Sequence, residues 1–148
     1  MRERGGRAAV AGRHGALDQA LARVGDRWSL LVIGALIEGP QRFSTLQEML
    51  PGCAPNVLSA RLRRLAADGL ITAVPYLDRP LRLEYQVSAQ GRELAGALRL
   101  LARWGAAHGG DPSDGPRHPA CGTPLEARWY CPTCDRVSET ASDEAVWV

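Results

Sequence analysis

Residues 54–71 read APNVLSARLRRLAADGLI, and the placement of this stretch decides the fold. Pro55 suits the first turn of a helix, where a missing N–H is no loss. Leu58, Leu62 and Leu65 recur at helical spacing on one face, and Gly69 supplies the stop. With the leucines turned inward, the opposite arc carries Asn56, Ala60, Arg63, Arg64 and Ala67. Val57 and Ser59 lie on its flanks. Arg61 sits nearer the core side, within reach of a phosphate or an internal carboxylate. Taken alone, RLRRL reads as readily as a solvated basic helix face. Its neighbours have to choose.

Before it, Leu17, Leu21 and Val24 mark one helix face, interrupted by Gly25. Asp26 is a good N-cap for a second helix carrying Trp28, Leu31, Val32 and Leu36, which Gly39-Pro40 ends. Ser44 and Gln47 have the capping-box spacing for a short helix closed by Pro51. After Gly69 the period changes. ITAVPY and RLEYQVS alternate roughly in twos around the loop LDRPL, predicting a β-hairpin. Ser88 then caps one long helix, AQGRELAGALRLLARWGAAH, with Leu94, Leu98 and Leu101 as its stripe and Trp104 near its end.

Helix, helix, short strand, short helix, helix, hairpin, long helix is the order of a winged helix-turn-helix. The fold class is mainly α with a small β-wing (α+β). An α-helix fits the major groove of DNA, and its arginines and asparagines match guanine and adenine edges. The expected contacts to double-stranded DNA are Ser44, Thr45, Asn56, Val57, Ser59, Ala60, Arg61, Arg63 and Arg64, with Arg79 and Arg82 in the wing. The wing arginines also read as solvated loop charge.

The bulk numbers are compatible but unspecific. The 148 residues are 45% hydrophobic and 23% charged, a globular balance. Aromatics make up only 5%, so Leu, Val and Ala must build the core. A net charge of +2 identifies no polyanion partner by itself. The basic N-terminus lacks the apolar core of a signal peptide. The longest apolar run, residues 28–37, is half of the roughly 20 residues a membrane span needs. No membrane partner is expected, and the location reads as cytoplasmic, with the nucleoid.

The segment HPACGTPLEARWYCPTC, residues 118–134, spaces His118, Cys121, Cys131 and Cys134 as H-x2-C-x9-C-x2-C. Two x2 turns present two ligand pairs, as tetrahedral structural zinc requires, so the segment resembles a zinc ribbon. Cys131 and Cys134 also read as a redox dithiol, but the βαβ context of such proteins is absent. His108 is an alternative fourth ligand across a Gly/Pro linker. The segment has no groove-reading helix, so it is an accessory to the DNA reader. Cys53 reads as a small buried core group, or else as a reactive sensor thiol.

The blocks GDRWSLLVIGAL, GPQRFSTLQEMLPG, APNVLSARLRRLAADGLI, RPLRLEYQVSAQGREL and RWGAAH resemble, in order, the HxlR-type regulators, winged-helix relatives of the MarR group. The resemblance covers residues 17–108. It implies a homodimer acting on transcription, often as a repressor, at a pseudo-palindromic operator. It also implies dimer contacts from the first and last long helices, here Leu17, Leu21, Leu94, Leu98, Leu101 and Trp104. The leucines of the last helix read equally as intramolecular core. An apolar pocket between wing and dimer helices would suit a small-molecule effector, which nothing in the sequence specifies. Many such regulators carry a sensing cysteine just before the first helix, but GRHGALDQ has none. Ala54 stands where the pattern has a Ser or Thr cap.

The expected organisation is a disordered basic N-terminus (1–14), a DNA-binding and dimerisation domain (15–108), a linker (109–117), a zinc-ribbon-like segment (118–137) and an acidic tail (138–148). The competing classes are an interaction module without sequence-specific DNA binding, and an enzyme, either a C-x-x-C oxidoreductase or a zinc hydrolase. Four apparent ligands would close a zinc site to substrate. No triad or carboxylate pair is recognisable.

Overall fold

Leucine at helical spacing builds the core. Leu36, Leu46, Leu58, Leu62 and Leu65 are buried together with Val32, Ile33, Leu70, Ile71 and Val87. The computed structural model describes the backbone of residues 6–138 and the side chains of residues 15–137. The basic residues 1–5 and the acidic tail from residue 139 lie outside the described residues.

The elements run α1 (Gly6–Val24), α2 (Arg27–Ile37), β1 (Gln41–Arg42), α3 (Phe43–Met49), α4 (Pro55–Ala67), β2 (Ile71–Asp78), β3 (Leu81–Val87), α5 (Ala89–Arg92) and α6 (Ala95–Ala107). A 3-10 turn (Pro112–Asp114) and the strands β4 (Trp129–Cys131) and β5 (Arg136–Ser138) follow. Packing divides the chain in two. One unit is Leu17–Leu98, the winged helix-turn-helix; the other takes in the described residues up to Ala16 and from Arg99 onward.

In the larger unit, α2, α3 and α4 surround the leucine core, and the antiparallel sheet in the order β1-β3-β2 closes one side. β3 is the middle strand, with Gln41 opposite Tyr85 and Ile71 opposite Val87. The register shifts between Pro75 and Leu77, leaving Tyr76 as a bulge. The hairpin strands reach Asp78 and Leu81, so only Arg79 and Pro80 form the turn, shorter than the five-residue loop expected.

Two junctions fix the order of packing. At the end of α4, Gly69 adopts φ +72°, Gly69 N–H donates to Ala66 O at 3.1 Å, and Leu70 N–H donates to Leu65 O at 2.9 Å. This is a Schellman ending, which turns the chain directly into β2. At the end of β3, the Ser88 hydroxyl donates to Gly69 O (2.7 Å) and accepts from Gly91 N–H (3.0 Å), capping α5. A side chain at Gly91 would collide with the Leu70 carbonyl, so the close approach of α5 to the sheet requires glycine.

Three elements differ from expectation. α1 starts at Gly6, so the helix takes in residues 6–14, which the sequence suggested were without structure. α3 starts at Phe43 behind Arg42, without a side-chain cap, so Ser44 and Gln47 form no capping box. The single helix after Ser88 is two: α5 ends at Arg92, Leu94 N–H bonds only as far back as Gly91 O (3.2 Å), and α6 begins at Ala95. Gly91 and Gly96 lie on either side of this break and weaken the helix there.

Asp26 behaves as the sequence implies and does more. Its carboxylate caps α2 by accepting from Ser29 N–H at 3.0 Å, and it lies 3.1 Å from Arg61 Nε of α4. Partial burial raises its pKa, but the Ser29 hydrogen bonds and the Arg61 charge outweigh this and hold it below 3.8. A lowered carboxylate stabilises the fold above its unfolded value and loses that contribution as pH falls through its folded one. Asp26→Ala should cost about 1–2 kcal/mol in urea unfolding at neutral pH. Asp26→Asn should flatten the loss of stability as pH falls below the ordinary carboxylate value of 3.8 and through the lower folded one. An unchanged acid limb in Asp26→Asn would contradict the assignment.

Candidate nucleic-acid interface

The outward face of α4 is set by what its other faces are tied to. Leu58, Leu62 and Leu65 are buried, while Asn56, Ala60, Arg63 and Ala67 are exposed. Its N-cap, Ala54, makes no side-chain bond, and Pro55 occupies the first turn. The cap lost at Ala54 is partly relieved by proline, which has no N–H to satisfy.

The three arginines of the helix have different employments. Arg61 meets the internal carboxylate of Asp26, as one of its two readings proposed. The pair is held by charge, since Arg61 Nε lacks the alignment of a hydrogen bond. Arg64 Nη2 donates to Ala22 O at 2.6 Å, and its Nε lies 3.8 Å from Asp68. In return, Arg23 Nη2 donates to Asp68 O at 2.9 Å. Each arginine thus satisfies a carbonyl at the C-terminal end of the other helix, where cations are favoured. Arg63 is exposed and has no bond to protein among the described residues.

Among the flanking residues, Val57 packs against the core and Ser59 is half-buried, so both are less available than Asn56 and Ala60. Ser44 is exposed and Thr45 half-buried on the first turn of α3. Arg79 and Arg82 are exposed at the tip of the hairpin. A hollow of about 360 Å³ between the start of α3 and the wing brings Ser44 and Arg82 together with Arg42 and Tyr76. The Arg42 guanidinium stacks over the Tyr76 ring at 4.3 Å, tying β1 to the bulge. Neither residue stood out in the sequence. Arg42 in QRF, directly before a helix, was the available signal. The hollow lies against α3, not against the helices expected to form a dimer.

Of the expected dimer residues, Leu17, Leu21, Leu101 and Trp104 are exposed, Trp104 at 64%. Leu94 and Leu98 are half-buried and pack against the core of the larger unit. Cys53 is buried, with its sulfur 3.9 Å from Ala54 O, as a small core group would be.

The candidate metal ligands form two separate pairs. His118 Nδ1 lies 3.3 Å from Cys121 Sγ. Cys131 and Cys134 share the turn between β4 and β5. Among the described residues no three His, Cys, Asp or Glu side chains converge as a metal-holding group. The Thr123 hydroxyl and N–H hold the Cys121 thiol below its ordinary pKa. The Cys134 N–H and thiol and the Thr133 N–H do the same for Cys131. His108 is occupied elsewhere: it stacks on Trp104 (4.8 Å between ring centres), and its Nδ1 is 2.8 Å from Trp104 O.

The HxlR-like helix-turn-helix family matches residues 23–112, spanning both helices of the motif, the wing and α6. The chain belongs to the HxlR-like helix-turn-helix family. It is 38% identical over 119 residues to an HTH-type transcriptional regulator of Mycobacterium tuberculosis, covering 78% of this chain and 75% of the relative. The crystal structure of the HTH-type transcriptional regulator YtcD superposes with a TM-score of 0.59 at 35% identity, over 62% of this chain and 94% of that one. A transcription factor from Pseudomonas aeruginosa superposes with a TM-score of 0.62 at 28% identity, over 85% of this chain and 94% of that one. The protein is therefore an HxlR-type DNA-binding transcriptional regulator and not an enzyme. Among the described residues no helix is long and apolar enough to cross a membrane.

The arginines can be told apart by mutation. Arg63→Ala should weaken DNA binding at least tenfold and leave stability within about 0.5 kcal/mol, as for an exposed side chain. Arg64→Ala should also lower the unfolding midpoint, because it leaves Ala22 O without its donor. Equal stability loss in both variants would contradict this division. Fluorescence anisotropy with duplex DNA and urea titration read the two effects separately.

Proposed function

We propose that this regulator acts as a homodimeric repressor that inserts α4 into successive major grooves of a pseudo-palindromic operator. The carrying observation is the outward face of α4. Asn56, Ala60 and Arg63 stand exposed on a helix whose other sides are fixed by buried leucines and by Arg61 and Arg64. Two alanines let the backbone come close to base edges. Asn56 and Arg63 supply the donors and acceptor that adenine and guanine match.

Ser44, Thr45 and Arg42 at the start of α3 then face the phosphate backbone, as the first helix of such a motif does. Arg79 and Arg82 reach the neighbouring minor groove or its phosphates from the wing. Arg61 and Arg64 act as positioning residues, since both are engaged within the protein. Leu17 and Leu21 on α1, and Leu101 and Trp104 on α6, supply apolar surface for the second copy. A two-fold dimer places its reading helices about 34 Å apart, one turn of B-DNA, or a multiple of that spacing.

Sheared genomic DNA retained by the purified protein near physiological salt is expected to share an inverted repeat, because salt suppresses nonspecific binding. Sedimentation is expected to give a dimer. Leu101→Glu with Trp104→Glu is expected to yield a folded monomer that binds the operator at least a hundredfold more weakly. Uniform DNA recovery, or a wild-type monomer with full operator affinity, would overturn the reading.

A further inference from the structure

The two ligand pairs of the C-terminal segment are the same turn built twice. The first reads His118-Pro-Ala-Cys121-Gly122 and the second Cys131-Pro-Thr-Cys134-Asp135. In each, a proline follows the first ligand. In each, the residue after the second ligand takes the left-handed conformation, Gly122 at φ +69° and Asp135 at φ +51°. Asp135 is the one non-glycine residue with positive φ among the described residues. Such a conformation is uncommon without glycine and indicates a turn demanded by its surroundings.

The flanking backbone repeats in the same register. Before the first pair, Arg117 bridges to Pro124; before the second, Tyr130 pairs with Val137. Each joins the residue preceding the first ligand to the third residue after the second. One step inward, His118 N–H donates to Thr123 O at 2.9 Å, and Cys131 pairs with Arg136. The turns also satisfy their own polar groups. Gly122 N–H donates to His118 O at 2.8 Å, and Arg117 Nη1 donates to Gly122 O at 2.9 Å.

Among the described residues this segment has no core to hold it. Leu125, Trp129, Tyr130 and Val137 are each more than 40% exposed, and no residue of 116–137 is buried. Two turns with matching geometry, each offering two soft donors, persist here without apolar burial to fix them. We propose that His118, Cys121, Cys131 and Cys134 bind one zinc ion per chain, and that the ion supplies the missing centre of this segment. Residues 125–128, which form neither helix nor strand, are the connection that turns to bring the two pairs together.

Three thiolates and one neutral imidazole make a closed tetrahedral shell with no position for water or substrate, so the site is structural. Binding releases the three thiol protons and exchanges no electrons. The complex carries one net negative charge, and Arg117 and Arg136 lie beside the two turns. The assignment is independent of the operator reading.

The test is titration of the reduced full-length protein with Co(II), then displacement by Zn(II). The expected result is one equivalent per chain. It should show the intense visible bands of tetrahedral cobalt and a sulfur-to-metal charge-transfer band, both bleached by Zn(II). His118→Ala, Cys121→Ser, Cys131→Ser and Cys134→Ser should each lose the tetrahedral spectrum. Cys53→Ser should retain it, which separates ligand loss from general thiol loss. Zn(II) should also slow proteolytic cleavage within residues 125–128. A weak octahedral spectrum, a full spectrum surviving in both His118→Ala and Cys121→Ser, or one ion per two chains would overturn the intrachain site.

Discussion

The carboxylate of Asp26 ties α2 to α4. It caps α2 through Ser29 and faces Arg61 of α4, so one side chain sets where one helix begins and how the other is rotated against it. The leucine stripe of α4 fixes which side is inward, but a stripe of three leucines tolerates some rotation and sliding. The Asp26–Arg61 pair at 3.1 Å adds a polar tie to that packing. The exchange of Arg23 and Arg64 with carbonyls of the opposite helix adds a second constraint on the same helix. Such surface-accessible pairs are individually worth little in stability. Their value lies in positioning α4.

From that placement the rest follows in chain order. The Schellman ending at Gly69 sends the backbone straight into β2. The hairpin is thereby anchored at its base by Ile71 and Val87, both buried, while its tip stands free with Arg79 and Arg82. Ser88 and Gly91 then fasten α5 to the same junction. The wing and α4 thus share one junction, and the stacking of Arg42 on Tyr76 ties the wing to the start of α3.

Much of this was legible in the sequence because the signals were local. Asp26, Gly69 and Ser88 act within a few residues of themselves, and Leu58, Leu62 and Leu65 declare their face by spacing alone. The failures were equally physical. Ser44 and Gln47 have capping-box spacing, but β1 pairing with β3 commits Arg42 to the cap position and starts the helix two residues early. Leu94 and Leu98 continue the stripe of Leu101, yet both pack on the core while Leu101 is exposed. The division of labour among Arg61, Arg63 and Arg64 depends on partners up to 42 residues distant, Ala22 in the case of Arg64, which periodicity cannot supply. The equivalence of the two C-terminal turns rests on backbone angles and strand register that ligand spacing does not encode.

The account's central claim is that the exposed face of α4 reads bases. Binding-site selection from random duplexes by the wild type and by Asn56→Ala tests it most directly, because loss of a base contact relaxes one position of the site whereas loss of a phosphate contact weakens all sequences alike. The account predicts that Asn56→Ala loses preference at one base pair in each half-site, symmetrically, with the remaining positions unchanged. An unaltered preference at every position, or uniform weakening across all sequences, would contradict it.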